Sequence, residues 1–476
     1  MKNIAAIVLA AGKGRRMKSS IPKVLHRVAG RPMLSYPLMV LRELGIRNIT
    51  VVAGHKGDSV KALFSTERSI AFAGQKDQKG TGHAVMCALK TLKGFHGDIL
   101  ILSGDVPLIT GAAIKGLIKV KKGGKENARL AARPRAAISF ITAVLDDPDG
   151  YGRVVRDENN TVERVVEDKD CTEAERRISE VNTGIYLISS EFLFDNIKKL
   201  KRANVQGEYY LPDLIGLAKR TGHKVAALTH LYPDEVMGVN NRVELARAGG
   251  LMRQRIAEAL MLAGVTIVDP DNTYIDSGVK AGVDTVICPF TVIEGATSIG
   301  VNCVIEEGVK IRDSVIGDET RIKSYSVIED SSIGKGAAIG PFARLRPGNR
   351  VADGASVGNF VEMKKTSMGR GSKANHLSYL GDAEIGANVN IGAGAITCNY
   401  DGMKKHTTII EDGAFIGSDS QLVAPVKVGR NAYVGSGTTV TRDVPAGALM
   451  TARAKERVVE GWVGKRGIKK AVGRHK

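Results

Sequence analysis

Ile299-Gly300-Val301-Asn302-Cys303-Val304-Ile305-Glu306-Glu307-Gly308-Val309-Lys310-Ile311 places a branched aliphatic residue at every sixth position, and that interval decides the fold of half the chain. The step begins at Ile293. After a one-residue slip Ile316, Ile322 and Ile328 resume it, and after another Ile333, Ile339, Leu345, Val351 and Val357 follow. Ile410, Leu422, Val428, Val434 and Val440 keep the same count further on. A period of six fits neither an α-helix nor the alternation of one long strand. It fits a coil of very short strands, each turning a corner after about six residues. Glycines such as Gly300, Gly317, Gly334 and Gly358 flank the branched residues, as tight corners require. Between Glu362 and Glu384 the count fails, and that stretch holds His376. The expectation is a regular prism with one irregular, histidine-bearing interruption.

Working outward, 476 residues suffice for two or three domains. Aromatic content is 5% and Trp462 is the only tryptophan, so the cores rest on Val, Ile, Leu and Ala. The net charge of +19 points to anionic partners. Part of it lies in a basic tail, 462–476, which reads as a solvated run; no interleaved aromatics support stacking on bases, so nucleic acid is not an expected partner. The five cysteines are scattered and form no C-x-x-C pair, which favours a reducing, cytoplasmic setting. No apolar run approaches the ~18 residues that span a bilayer, so no membrane association is expected. Gly12-Lys13-Gly14-Arg15-Arg16 follows the first apolar run where a signal-peptide cleavage site would lie, so a buried first strand explains the start better.

From residue 1 to about 240, buried strands at 4–9, 49–52, 99–102 and 138–144 alternate with helical stretches at 33–44 and 82–92. This alternation predicts a mostly parallel, doubly wound α/β sheet, with ligands beyond the carboxyl ends of the strands. The loop Ala10-Ala11-Gly12-Lys13-Gly14-Arg15-Arg16 ends the first strand there. It lacks both the G-x-G-x-x-G and the G-K-[ST] spacing, so alone it reads as a phosphate cradle or as a plain turn. Residues 241–264 read as a linker helix stopped by Gly264, weakened at Gly249-Gly250, and better suited to a bridging arm than to a core. The prism domain runs 265–461.

The order of several motifs carries a resemblance. Leu9-x-x-Gly12-x-Gly14-x-Arg16-Met17 with Pro22-Lys23, then Gln75 with Gly80-Thr81-Gly82-His83-Ala84, then Gly104-Asp105-Val106-Pro107-Leu108, are similar to the signatures of sugar-1-phosphate nucleotidylyltransferases. Gly150-Tyr151-Gly152-Arg153, Val166-Glu167-Asp168-Lys169, Asn182-Thr183-Gly184, Gly207-Glu208-Tyr209-Tyr210 and Gly238-Val239-Asn240 continue the match. The resemblance implies a Rossmann-like domain that transfers UMP from UTP. Asp105 and Asn240 are its implied Mg²⁺ ligands, a role suited to hard oxygen donors. Arg16 and Lys23 would neutralise phosphates, Gln75 and Thr81 would meet the uracil, and Gly152, Glu167 and Asn182 would line the sugar pocket. Leu9, Ala10, Ala11, Gly12, Gly80, Ser103 and Gly104 complete the implied substrate contacts. Ser103 stands where many relatives have tyrosine. His26, His55 and His83 lack companions, and no chemistry is assigned to them.

The period-six half resembles the left-handed parallel β-helix of hexapeptide acyltransferases, which associate as trimers with sites where subunits meet. Residues 340–348, 357–365, 381–386, 390–394, 397–402, 417–418 and 421–426 narrow the resemblance to a family of bifunctional enzymes that join the two domains. Such enzymes acetylate glucosamine-1-phosphate from acetyl-CoA and uridylylate the N-acetylglucosamine-1-phosphate formed, making UDP-N-acetylglucosamine for peptidoglycan and lipopolysaccharide precursors. His376 is the implied base, oriented by Glu362, since an imidazole titrating near ~6.5 suits removal of an ammonium proton. Arg346, Lys364, Tyr379 and Asn390 are implied for the sugar phosphate. Ala393, Asn399, Tyr400, Ser418, Ser436 and Arg453 are implied for acetyl-CoA. Ser436 replaces an alanine and Asn375 a glycine of that pattern. Two rivals stand beside this reading: a nucleotidylyltransferase whose prism only oligomerises, and a repeat scaffold that binds anionic polymers.

Overall fold

The computed structural model describes residues 3–67, 69–123, 135–452 and 455–465. The chain divides into two compact units, Met1–Ile256 and Ala257–Lys476.

Unit one is built on a mixed sheet. Its strands are β1 (Ile4–Ala10), β2 (Ile49–Ala53), β3 (Ile70–Gly74), β4 (Asp98–Ser103), β5 (Ile138–Val144), β6 (Arg153–Arg156), β7 (Val162–Val166), β8 (Glu180–Ser189) and β9 (Val225–Thr229). The order across the sheet is β9-β5-β8-β4-β1-β2-β3, with β6 and β7 pairing at the edge of β8. Pairs β4-β1, β1-β2, β2-β3 and β9-β5 are parallel, as the alternating strands and helices predict; β8 alone runs against β4 and β5. Helices cover both faces. Along β1, Ile4, Ala6, Val8 and Ala10 face one apolar layer with Leu34, Leu38 and Leu41, while Ala5, Ile7 and Ala11 face another with Val85 and Leu92. A strand buried on both faces has no polar side, which is why it reads as a continuous apolar run.

The helix Arg242–Leu262 does not bridge freely. Ala248 and Met252, four residues apart on one face, pack with Val28, Met33, Leu108 and Val239. Arg255 donates to the Leu108 carbonyl at 2.7 Å and pairs with Glu235 at 2.7 Å. One face of the first two-thirds of this helix therefore packs on unit one, and the unit boundary falls inside it at Ile256.

Unit two is a coil of two- to four-residue strands that stack into three parallel sheets of eleven, ten and nine strands. This is the architecture of the left-handed parallel β-helix of hexapeptide repeats. Register places Ile287, Ile305, Ile322, Ile339, Val357, Ala374, Ile391, Ile416 and Val434 in one inward column. Each buried branched side chain in it contributes roughly 1.5–3 kcal/mol relative to exposure. At the corners, where the ladder cannot reach, buried hydroxyls take over: Thr285 donates to Gly300 O at 2.8 Å, Thr320 to Gly334 O at 2.9 Å and Thr366 to Leu380 O at 2.9 Å.

The expected interruption at Glu362–Glu384 is not there. Strands Glu362–Lys364, Ser367–Met368, Lys373–His376, Tyr379–Gly381 and Ala383–Ile385 pair in register with the coils on either side. The count fails because the inward positions Met363, Met368 and Ala374, all at most 2% exposed, are not branched aliphatics and because the step shortens to five residues before Met368 and before Ile385. The real insertion comes later. Ile385 pairs with Ile410 and Thr397 with Leu422, so this coil exceeds its neighbours by the loop from Asn399 to Thr407.

Candidate functional site

The carboxyl ends of β1 and β4 open into a cleft of about 510 Å³, lined by Leu9 to Arg16, Lys23, Gln75, Gly80, Thr81, Ser103, Asp105 and Asn240 among others. The glycine-rich loop leaves β1 through Gly14 at φ +59°, and a Cβ there would stand 2.9 Å from that of Lys23. Glycine lets the loop turn left-handed and lets Lys23 come close. A smaller space of about 220 Å³ adjoins the cleft, lined by Gly152, Glu167, Asn182 and Tyr186. Leu9, Arg16, Thr81, Ser103, Asp105 and Asn240 line both. Of the residues singled out for this domain, only Gly104 lines neither compartment. It sits against Leu34, and its N–H donates to the Leu9 carbonyl at 2.8 Å.

Where the compartments meet, the Lys23 ammonium bridges Asp105 and the side-chain oxygen of Asn240, the latter at 2.7 Å; Arg16 donates to the same oxygen at 3.0 Å. Gly238 leaves room for the carboxylate, since a Cβ on it would lie 3.2 Å from Asp105 Oδ1. Two hard oxygens, brought together from positions 135 residues apart in sequence, converge on one cation. That donor set fits Mg²⁺, which accepts few protein oxygens and keeps several waters.

Glu167, half-buried, lines the smaller space. Burial, then Asp213, Asp170, Glu208 and Asp168, push its pKa up to about 7. Tyr151, between Arg16 and Glu244 beside Asp105, is pushed to about 12 by burial and by those two carboxylates. Arg153 is fully buried, 3.3 Å from Asp168.

In unit two, left-handed corners stack coil upon coil at Phe342, Phe360, Leu377, Gly394, Asp419 and Gly437. The residues just before them form an edge column: Asn359, His376, Ala393, Ser418 and Ser436. Backbone bonds from Leu377 to Asn359, Asp419 to Ala393 and Gly437 to Ser418 fix that order. Thus the candidate base and three of the acetyl-CoA candidates share one edge. His376 is exposed, and its Nδ1 lies 2.9 Å from Asn359 Oδ1. The expected orienting carboxylate is engaged elsewhere, because Glu362 pairs with Arg346 at 3.0 Å. On the adjoining sheet Glu362 pairs with Tyr379, and Lys364 with Gly381. Asn390 follows one coil after Lys373. Lys405, on the inserted loop, stands beside Lys364; that ammonium, with Arg346, holds the Lys364 pKa below the ordinary lysine range, against the pull of Asp382.

The loop itself is tied down. Asp401 accepts from Met403 N at 2.7 Å and Lys404 N at 2.6 Å and pairs with His406 at 2.7 Å; Asn399 donates to Asp382. Asn375 fits without its expected glycine, its side chain accepting from Ser356 at 2.9 Å. Arg453 lies outside the described residues, as does most of the basic tail.

Two of these residues escaped the sequence reading. Asn359 was findable, since it precedes His376 by one coil of 17 residues. Lys405 was not, because no period runs through the insertion.

Comparison with known proteins agrees with this division. Residues 6–200 match the MobA-like NTP transferase domain, 269–368 the GMPPB C-terminal domain, and 407–442 the bacterial transferase hexapeptide (six repeats). Bifunctional protein GlmU of Geotalea uraniireducens is 51% identical over 97% of this chain and 99% of its own. That of Geobacter sulfurreducens is 48% identical over 97% and 98%, and that of a Geobacillus species 47% over 98% and 98%. With near-complete coverage on both sides and one site geometry in each unit, the chain belongs to the bifunctional GlmU family.

Proposed function

We propose that the two units perform consecutive transfers: acetylation of glucosamine-1-phosphate in the prism, then uridylylation of the product in the sheet domain to give UDP-N-acetylglucosamine and pyrophosphate. The observation that carries the reading is that each unit holds its own convergent site, Asp105–Lys23–Asn240 in one and His376 with its edge column in the other.

In the sheet domain the larger cleft takes UTP and the smaller space the sugar, with the reacting phosphates between them. Lys23 and Arg16 place positive charge there, which supports transfer because phosphoryl chemistry depends mainly on positioning and charge neutralisation. Asp105 and Asn240 would hold Mg²⁺, which when bound polarises the α-phosphate and shields the pyrophosphate leaving group. A sugar-phosphate oxygen attacks the α-phosphorus, and the bond to the β-phosphate oxygen breaks.

In the prism, Arg346, Lys364 and Lys405 gather three cations for the sugar phosphate, with Tyr379 on the strand paired to that of Lys364 and Asn390 on another of the three sheets. With Nδ1–H donated to Asn359, the imidazole keeps the Nε2 lone pair for the ammonium proton of the substrate. The freed amine attacks the thioester carbonyl of acetyl-CoA, and the C–S bond breaks to release CoA. Ala393, Ser418 and Ser436 line the edge along which the cofactor would lie, with Asn399 and Tyr400 on the inserted loop.

The exposed ring stack of Tyr325, Phe342 and Phe360, with centroids 5.4 Å apart, supports a homotrimer, since such a ladder gains by being covered. The five free thiols support a reducing, cytoplasmic setting. Among the described residues no helix is long and apolar enough to cross a membrane.

The test is a paired assay. Asp105→Ala is expected to abolish pyrophosphate release and spare CoA release, and His376→Ala the reverse, each by about 10³-fold or more. Loss of both activities from either single change in a folded protein would sink the two-site reading.

A further inference from the structure

His83 takes no part in the chemistry above, yet its position bears on which base the nucleotide cleft accepts. Gln75 is 3% exposed and follows β3, its backbone N–H held by the Ala53 carbonyl at 2.8 Å. Its Nε2 lies 3.1 Å from the Gly80 carbonyl and 3.1 Å from His83 Nδ1. The Gly80 carbonyl is only an acceptor, so the amide atom facing it must be the nitrogen; a flipped amide would set two oxygens against each other. That carbonyl also accepts from Ala84 N at 3.2 Å. The second amide hydrogen then goes to His83 Nδ1, which must offer a lone pair. The His83 proton therefore sits on Nε2, facing Cys87 Sγ at 3.9 Å. The ring stacks on Tyr209, centroids 6.4 Å apart at 29°, and lies on the helix Thr81–Ala88 that starts beside the cleft.

With both hydrogens of the amide spent, Gln75 has one group left for a ligand, its carbonyl oxygen, in the wall of the cleft. We infer that His83 is a positioning residue that, by taking the amide hydrogen the Gly80 carbonyl does not use, locks the hydrogen-bonding sense of the base site, so that Gln75 presents only an acceptor to the bound nucleotide. The inference rests on the reading that UTP occupies this cleft. On the Watson–Crick edge of uracil, O2 and O4 are acceptors and N3–H is the single donor, so the contact is N3–H to Gln75 Oε1. Cytosine brings an unprotonated N3 to the same place, and two lone pairs would face each other in a nearly dry wall. A site that leaves a buried polar group unpaired rejects its ligand far more strongly than one lacking only an apolar contact. Thymine keeps N3–H, so this contact does not separate UTP from dTTP.

The test compares UTP with CTP, by kcat/KM for pyrophosphate release and by calorimetric binding with Mg²⁺, in the full chain. His83→Phe keeps a ring against Tyr209 but leaves one Gln75 amide hydrogen without a partner and only the Gly80 carbonyl to oppose rotation; the UTP/CTP ratio is expected to fall by about tenfold or more. His83→Asn, whose Oδ1 falls near the place of Nδ1, is expected to restore it. Should melting show His83→Phe to be unfolded, His83→Gln, whose amide reaches the Nε2 position instead, takes its place. An unchanged ratio in His83→Phe, or an equal loss in His83→Asn, overturns the inference. A wild-type chain that binds UTP but releases no pyrophosphate overturns the functional reading instead, and the binding ratios still decide the role of His83.

Discussion

The two units build their sites by opposite means. In the prism, residues 17 or 18 apart in sequence become neighbours in space, so a column such as Asn359, His376 and Ala393 follows from the pitch of the coil. In the sheet unit, Lys23, Asp105 and Asn240 share one cation site, and no spacing relates them. The cost of function differs too. The prism keeps its charges on exposed edges and its interior dry, whereas the sheet unit encloses Glu167 among four other carboxylates. A repeat can therefore change chemistry at its surface without loss of stability, while the sheet unit carries an electrostatic strain inside its site.

The sharpest way to break this contrast is to put a charge where the prism has none. Ile339 is 0% exposed, between Ile322 and Val357 in the inward column. Ile339→Asp would leave an ionised group without partners among aliphatic side chains, a penalty well above 4 kcal/mol. The calorimetric transition of unit two is expected to vanish, with CoA release lost and pyrophosphate release from UTP retained. Survival of both transitions would show that the prism tolerates interior charge.

The sheet unit should respond in the opposite sense. The folded pKa of Glu167, about 7, lies above the ordinary value of 4.5, so the fold holds this proton more tightly than the unfolded chain. Stability contributed by the neutral acid is present below pH 4.5 and is lost as pH rises to 7. Glu167→Gln removes the charge and should stabilise unit one at pH 8 by at most about 3 kcal/mol, water in the cleft reducing the figure. At pH 4.5 it should change little. Denaturant melts at the two pH values decide it, and an equal shift at both would place the effect in packing.

The same contrast explains what could be read from the sequence. The six-residue period exposes the prism directly, because each branched residue reports an inward position. It misleads where Met363, Met368 and Ala374 fill that role and the step shortens to five, since inward packing demands apolar volume and not a branched side chain. The inserted loop at 399–407 falls within a second break in the count, around Thr397 to Thr408, where Asn399 and Tyr400 favour a cofactor-contact loop over a plain surface loop. In the sheet unit the strands are legible from their apolar runs, but the convergence of Asp105 with Asn240 rests on motif resemblance, because tertiary proximity leaves no local trace. His83 was passed over for the same reason: its partner Gln75 lies in a preceding loop and no helical or strand period joins them.

The smallest expected effect sharpens the prism side of the comparison. If register alone builds the acetyl site, the residue one coil before His376 should act on it directly. Asn359 contacts Nδ1 at 2.9 Å, while Glu362 is spent on Arg346. Asn359→Ala leaves the ring in place but frees its tautomer and rotation. Acetyl-transfer kcat should fall about 10- to 100-fold, in the range found when a second-layer partner of a histidine is removed, with the KM for acetyl-CoA nearly unchanged. Asn359→Asp offers Nδ1–H a stronger acceptor and should raise the imidazole pKa, moving the acid limb of the kcat profile to higher pH. Glu362→Gln should instead raise the KM for the sugar phosphate, by loosening Arg346. If Glu362→Gln moved the pH profile and Asn359→Asp did not, the orienting group would be the carboxylate, and register would cease to predict the site.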